Sequence, residues 1–120
     1  MSHSGLRWRD YRTRSGSRPV KEFIDSLTDE EAASVVVAMK EIAIEGLVSG
    51  RHLRGDVYEA YAYAEDRDFR ILFSHEAKFI LLALSAFAKK SQKTPRSEIE
   101  LAERRLKDWR ARGKRPRHGS

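Results

Sequence analysis

The hydrophobic pattern of this chain changes period near its middle, and that change is the feature that most restricts its fold. Residues 57–64 and 69–74 alternate in polarity as β-strands do, and residues 79–88 are apolar on both faces, which is typical of a central strand. Turns of about four residues separate the three runs. Connections this short join neighbouring antiparallel strands, so the second half predicts an antiparallel meander.

The first half instead has a helical period. Pro19 fits the first position of a helix, and apolar residues recur at i, i+3, i+4 and i+7 from residue 20. Thr28 and Glu31 have the spacing of a capping box, which predicts a second helix that starts there. That helix should end at Gly46, because glycine is the usual residue after a helix terminus. Two consecutive helices with apolar stripes predict a helical hairpin.

The remaining segments complete the predicted order. Residues 6–11 alternate as a short strand, and residues 47–55 form a loop or the entry to a strand. Thr94 is the predicted cap of a last helix, with Pro95 at its first position. The predicted fold class is therefore α+β: an antiparallel sheet with the helical hairpin on one side and a C-terminal helix, in the order strand, helix, helix, strand, strand, strand, helix. We expect one domain over residues 1–112 and a basic, disordered tail over residues 113–120.

The charge distribution indicates a polyanionic partner. Of 24 Lys and Arg and 18 Asp and Glu, residues 88–120 hold twelve basic and four acidic side chains, so this segment is strongly cationic. Nucleic acid is the first candidate, and no apolar stretch indicates a membrane partner. No metal-ligand spacing is present, so we expect neither metal nor other cofactor. The absence of cysteine fits a reducing cytoplasm.

Four local strings, in order, carry a resemblance to a known family. They are Arg-Pro-Val-Lys-Glu-Phe at 18–23, Leu-Arg-Gly-Asp-Val-Tyr-Glu at 53–59, Phe-Arg-Ile-Leu-Phe at 69–73 and Phe-Ala-Lys-Lys-Ser-Gln-Lys-Thr-Pro at 87–95. With their spacing they cover residues 8–109. The chain resembles the RelE superfamily of bacterial toxins, and within it the HigB-type branch.

The resemblance implies a function as well as a RelE-like fold. Such toxins belong to type II toxin–antitoxin pairs, enter the ribosomal A site and cut mRNA there without a metal. A cognate antitoxin, often with a helix-turn-helix DNA-binding domain, neutralises the toxin. DNA would then be contacted only through the antitoxin complex.

Arg70 is the first candidate for a catalytic role. It alternates with Phe69 and Ile71, so it should lie on the opposite face from the core, and its planar fork of donors suits a phosphate. The resemblance matches it to an active-site arginine of the family. The alternative is a plain ion pair with Glu59. Some RelE-type toxins have lysines near the position of Glu59, and this chain lacks them. Glu59 therefore either serves as the base in their place or orients Arg70. We favour the orienting role, since a carboxylate beside an arginine is weakly basic.

Lysines at the end of the last strand are the second group of candidates. Lys89 and Lys93 are placed in the catalytic set, because a lysine there can contact the scissile phosphate or, with a lowered pKa, transfer a proton. Lys90 is assigned to RNA binding. The alternative for each is an ordinary solvated strand end.

The other candidates are a histidine and several RNA contacts. His52 is included in the catalytic set because histidine is the usual acid–base side chain of enzymes, and on the expectation that it faces the same side as Arg70, although a solvent-facing loop histidine is the commoner case. Arg54 and Arg96 are predicted to contact RNA. Tyr61 is predicted to stack on an unpaired base, the alternative being a core aromatic.

Three functions stay open from the sequence. The first is an mRNA endoribonuclease that depends on the ribosome. The second is a ParE-like toxin that shares the fold and inhibits gyrase by protein contact. The third is a degenerate RNA-binding module without turnover, which the scarcity of acid–base groups keeps in consideration.

Overall fold

The computed structural model describes residues 5–89 and 93–113, which form one sheet with helices packed on both faces. In chain order the elements are β1 (Arg7–Asp10), α1 (Pro19–Asp25), α2 (Asp29–Glu45), β2 (Arg51–Arg54), β3 (Val57–Ala64), β4 (Arg67–Glu76), β5 (Ile80–Lys89) and α3 (Arg96–Gly113). A short 3-10 turn precedes β2. The α+β fold class is confirmed.

The sheet is mixed, which corrects the expectation of a wholly antiparallel one. Its strand order is β1-β5-β4-β3-β2. The meander β3-β4-β5 is antiparallel as predicted, but β1 pairs with β5 in parallel, from Arg7 opposite Ile80 to Asp10 opposite Ala83. Polarity alternation identifies a strand without giving its direction, so the sequence pattern does not reveal this pairing.

A fifth strand, β2, occupies the segment predicted as a loop or strand entry. It has only four residues and pairs with β3 at the sheet edge, with an irregularity between His52 and Arg54. Three of its four side chains are polar, so no alternation marks it.

The helical hairpin begins and ends where its local signals predict. Thr28 Oγ1 accepts from the backbone N–H of Glu31, and the Glu31 carboxylate accepts from the N–H of Thr28. Gly46 follows α2 with φ of 86°, a conformation that a residue with Cβ adopts only with strain. Helix α2, the second helix of the hairpin, is therefore fixed by capping at its start and by glycine at its end.

Two apolar cores lie on opposite faces of the sheet. Phe69, Ile71 and Phe73 of β4 point toward α1 and α2, and Trp8 meets the Phe73 ring edge-on at 5.2 Å. Leu72 points the other way, toward α3. Helix α3 contributes one apolar stripe to the second core: Ile99, Ala102, Leu106 and Trp109.

Only the first residue of the predicted tail, Gly113, is among the described residues. Helix α3 continues to Gly113, and the rest of the predicted tail lies outside the described residues. Within the described residues, none of the helices is long and apolar enough to cross a membrane.

Candidate active site

A polar cluster lies on the face of the sheet that packs against α3, past the N-terminal end of that helix. Tyr61 of β3 lies opposite Arg70 of β4, which in turn lies opposite Phe87 of β5. Asp68 and Lys89 form the next cross-strand pair on the same face, because pairs two residues apart share a face. The alternation that builds the core thus places these polar side chains together on the opposite surface.

Arg70 is held in one orientation by three neighbours. Its Nη1 donates to Glu59 Oε1 at 3.1 Å, its Nη2 lies 3.9 Å from Asp68 Oδ2, and its guanidinium carbon lies 4.5 Å from the centroid of the Tyr61 ring. Only 8% of the residue is exposed. The Nε of Arg70 is buried and has no acceptor among the described residues. One donor of the fork therefore remains to be satisfied.

Glu59 has the geometry of an orienting group. It is 2% exposed, and its second oxygen, Oε2, accepts from the hydroxyl of Thr94. Both carboxylate oxygens are thus engaged, one by Arg70 and one by Thr94. With both oxygens engaged, the carboxylate is held in a fixed position beside Arg70. This geometry favours the orienting alternative over the basic one.

Lys89 is a buried cation beside Arg70. Only 6% of it is exposed, and its Nζ has no hydrogen-bond acceptor among the described residues. Burial, and next the positive charge of Arg70, lower the pKa of Lys89 below the ordinary 10.5. Its ammonium group is therefore more acidic than that of an exposed lysine.

Tyr61 and Asp68 form the exposed rim of the cluster. The Tyr61 hydroxyl donates to Asp68 Oδ1 at 2.9 Å, and this hydrogen bond is the main cause that raises the pKa of Tyr61. Tyr61 is 51% exposed, so it is a surface aromatic rather than a core residue. Its ring covers the guanidinium of Arg70 and is available for stacking.

His52 does not join this cluster, and the prediction that it faces the Arg70 side is wrong. It pairs with Tyr58, whose side chain packs in the core beneath the helical hairpin, and the two rings lie 4.9 Å apart. Its Nε2 lies 2.7 Å from the carbonyl oxygen of Gly55. The strand β2, unrecognised from the sequence, gives His52 the opposite parity to Arg70.

The predicted RNA contacts fall in several places. Arg54 Nε donates to Glu103 Oε2 on α3 at 3.0 Å, and Nη2 binds the other oxygen, so this arginine fastens β2 to the helix. Arg96 is exposed at the start of α3, and so is Lys93 three residues earlier, which was placed in the catalytic set. Lys90 lies outside the described residues.

Two residues of the cluster escaped the sequence patterns. Thr94 was predicted only as a helix cap, yet α3 begins two residues later and the buried Thr94 hydroxyl donates to Glu59. Asp68 was predicted only as part of a charged turn, but β4 begins one residue earlier, at Arg67. A threonine followed by proline and a charged turn before a strand both have commoner explanations, so neither pattern marks a site.

The cluster is suited to bind a phosphate group. Arg70 Nε and Lys89 Nζ are buried, cationic donors without an acceptor among the described residues, and the positive charge of Arg70 lowers the pKa of Lys89 further. Buried donors are normally satisfied, and donors left open are typical of a site that receives a ligand. An anion with several acceptor oxygens would satisfy both groups and relieve their mutual repulsion.

Comparison with known proteins gives two matches. Residues 22–107 match the family described as phage derived protein Gp49-like. The chain is also 38% identical over 106 residues to a protein named probable endoribonuclease HigB1, found in two strains of Mycobacterium tuberculosis, and the match covers 85% of this chain and 83% of that protein. With a family match over most of its length, the chain belongs to the phage-derived Gp49-like family, and through it to the toxins of the RelE and HigB kind.

Proposed function

We propose that this protein is a toxin of the HigB-type branch that cuts mRNA in the ribosomal A site without a metal. The observation that carries the proposal is the pair of buried cationic donors, Arg70 Nε and Lys89 Nζ, that lack acceptors among the described residues. The relative named as an endoribonuclease supports RNA as the substrate. Family membership implies an antitoxin, which we expect to be of the helix-turn-helix type, and a cytoplasmic site of action.

The substrate phosphate would bind between Arg70 and Lys89. Tyr61 covers the guanidinium at 4.5 Å and is half exposed, so rotation of this ring would open Arg70 to an incoming phosphate. The displaced ring would then be placed to stack on an unpaired base. Lys93 and Arg96, exposed on the approach to α3, would contact neighbouring phosphates, as would Lys90.

Cleavage would proceed by attack of the ribose 2′-oxygen on the adjacent phosphorus. The new P–O2′ bond forms as the P–O5′ bond breaks, which leaves a 2′,3′-cyclic phosphate and a 5′-hydroxyl. Arg70, oriented by Glu59, would stabilise the charge on the phosphorane oxygens. The Lys89 ammonium, with its lowered pKa, would give its proton to the leaving 5′-oxygen.

Asp68 is the carboxylate best placed to accept the 2′-proton. Its side chain is 29% exposed, it lies on the same face, and its Oδ2 is 3.9 Å from Arg70 Nη2. Glu59 is buried with both oxygens engaged, which leaves it the orienting role. We therefore propose Asp68 as base, Lys89 as acid and Arg70 as the electrostatic stabiliser.

The proposal is tested with purified protein and ribosomes programmed with a defined mRNA. We expect fragments that end in a 2′,3′-cyclic phosphate and begin with a 5′-hydroxyl. Asp68→Asn should slow cleavage at least tenfold, while Glu103→Gln, which changes a carboxylate remote from the cluster, should not. Uncut mRNA with wild-type protein would contradict the proposal, and equal rates for Asp68→Asn and wild type would remove Asp68 from the mechanism.

A further inference from the structure

A second cationic surface runs along β1, at the edge of the sheet away from β2. One cavity of about 410 Å³ is lined by Arg7, Arg9 and Phe79 among others. A second, of about 390 Å³, is lined by Arg9, Trp109 and residues of the β1–α1 connection. Arg9 borders both cavities, and we call the two together the β1 groove.

Three cations of the β1 groove have no carboxylate partner among the described residues. Arg7, Arg9 and Arg12 are exposed, and none of them is within ion-pair distance of a carboxylate among the described residues. Other surface arginines among the described residues, such as Arg54 and Arg110, do have such partners. The groove therefore presents donors that are available to an external anion.

Two further arginines are fixed in the wall of the groove. Arg18 is held by Asp10 through a bidentate pair of 2.9 and 2.6 Å. Arg112 donates to Asp108 at 2.7 Å and to the carbonyl of Arg12 at 2.6 Å. The wall is thus preorganised, and the three unpartnered arginines add an excess of positive charge to it.

Aromatic rings alternate with these cations. Phe79 is 52% exposed beside Arg7 and Arg9, and Trp109 borders the second cavity beside Arg112. An exposed ring beside arginines, as Phe79 is here, is an arrangement that binds single-stranded nucleic acid, since bases stack on the ring and phosphates pair with the cations. A purely acidic protein segment would leave the rings without a matching group.

We propose that the β1 groove binds single-stranded RNA next to the cleaved position, without strong sequence preference. This inference rests on the proposed function, because the RNA held there is the substrate. Asp10 pairs with Ala83, and Arg70 pairs with Phe87, so the two surfaces are separated by four residues of β5, or roughly 13 Å along the strand. One RNA of several nucleotides can reach both.

The test is the binding of a fluorescent, fully 2′-O-methyl 12-nucleotide RNA, which has no 2′-hydroxyl to react. The double variant Arg9→Ala/Arg12→Ala is compared with Arg104→Ala/Lys107→Ala, which removes the same charge from exposed positions of α3. We expect about tenfold or greater loss of affinity in the groove variant and less than twofold in the control. The slope of log K against log salt should fall by about 1.4 in magnitude in the groove variant.

Phe79→Leu separates stacking from charge. This exposed side chain can be replaced without opening the core, and we expect roughly tenfold weaker binding of the same RNA at every salt concentration. Gel filtration of each variant checks that loss of edge arginines has not caused self-association.

The results separate this inference from the proposed function. Equal losses in the groove and control pairs, or no loss in either, would overturn the groove. Tighter binding of a 12-residue polyglutamate peptide than of the RNA, lost in the groove variant, would overturn RNA as its occupant. Groove-dependent RNA binding by a wild-type protein that cuts no mRNA would support the groove and contradict the proposed cleavage.

Discussion

At the residue scale, Arg70 combines a fixed position with an unsatisfied donor. Glu59 and Tyr61 hold its guanidinium, and its buried Nε has no acceptor among the described residues. A preorganised donor of this kind stabilises developing charge without reorganising during the reaction. The role proposed for Arg70 thus depends on Glu59 as much as on the arginine itself.

Replacement of Arg70 tests that dependence. We expect Arg70→Lys to lower the rate of mRNA cleavage by about 100-fold, because lysine keeps the charge but loses the planar fork that Glu59 orients. His52→Ala is the control, since His52 lies on the other face with Tyr58, and it should cleave at the wild-type rate. Cleavage is measured on programmed ribosomes, and a wild-type rate for Arg70→Lys would exclude the oriented fork as a source of catalysis.

We expect Lys89 to lower the free energy of unfolding while it contributes to the rate of cleavage. Lys89→Met keeps the stem and removes a buried, unsatisfied ammonium, so we expect the free energy of unfolding at pH 7 to rise by about 1 kcal/mol and cleavage to be lost. Urea unfolding followed by circular dichroism gives the first quantity. A variant no more stable than wild type would show that the ammonium is satisfied in the folded protein.

The difference in unfolding free energy between Lys89→Met and the wild type should change with pH in one direction. Burial lowers the pKa of Lys89 in the folded state, whereas the unfolded chain keeps the ordinary value of 10.5. Between these two values the unfolded state binds more protons, so the stability of the wild type rises with pH. The stability gap to Lys89→Met should therefore be widest near neutral pH and narrow toward pH 10.5. A gap that widens with pH would contradict a lowered pKa.

Thr94 is expected to act through Glu59. Thr94→Val would leave a buried carboxylate oxygen without its donor, at a cost of about 1–3 kcal/mol in unfolding free energy, and would loosen the orientation of Arg70. We expect a fall in kcat of about tenfold with little change in KM, and recovery in Thr94→Ser. If Thr94→Val loses stability but cleaves at the wild-type rate, its hydroxyl is purely structural.

At the scale of elements, local signals predicted most boundaries. Pro19, the Thr28–Glu31 capping box and Gly46 fix the hairpin, and each acts through neighbours in sequence. Strand β2 escaped prediction because four mostly polar residues have no period, and pairing with β3 decides their conformation. Because this segment was predicted as a loop or the entry to a strand, the sequence pattern could not show on which face of the sheet His52 lies, and its predicted position was wrong.

The capping box provides the test at this scale. Thr28→Ala should lower the free energy of unfolding by about 1 kcal/mol, because the first turn of α2 loses a side-chain acceptor. Thr28→Ser keeps that acceptor and should retain most of the stability. Thermal unfolding measures both, and equal destabilisation by alanine and serine would assign the effect to the lost methyl group instead.

At the scale of the whole molecule, the basic second half does not behave as one surface. Lys89 is buried in the candidate site, Arg110 joins α3 to Glu76 of β4, and Arg112 lies at the β1 groove. The charge of the sequence predicted a polyanionic partner. How the basic side chains divide between two surfaces depends on the packing of α3. Likewise, Arg70 and Glu59 could be recognised from the sequence as neighbours on adjacent strands. Thr94 could not, because it lies 35 residues from Glu59 in the chain and contacts it only in the folded structure.

The central claim is that the Arg70 face cuts mRNA during translation. The most direct test is a map of 5′-hydroxyl mRNA ends in cells after brief induction of the wild-type protein or Arg70→Ala at equal soluble levels. We expect new ends within translated codons for the wild type and none for the variant. Growth inhibition with intact mRNA, accompanied by loss of DNA supercoiling, would contradict RNA cleavage and indicate gyrase as the target.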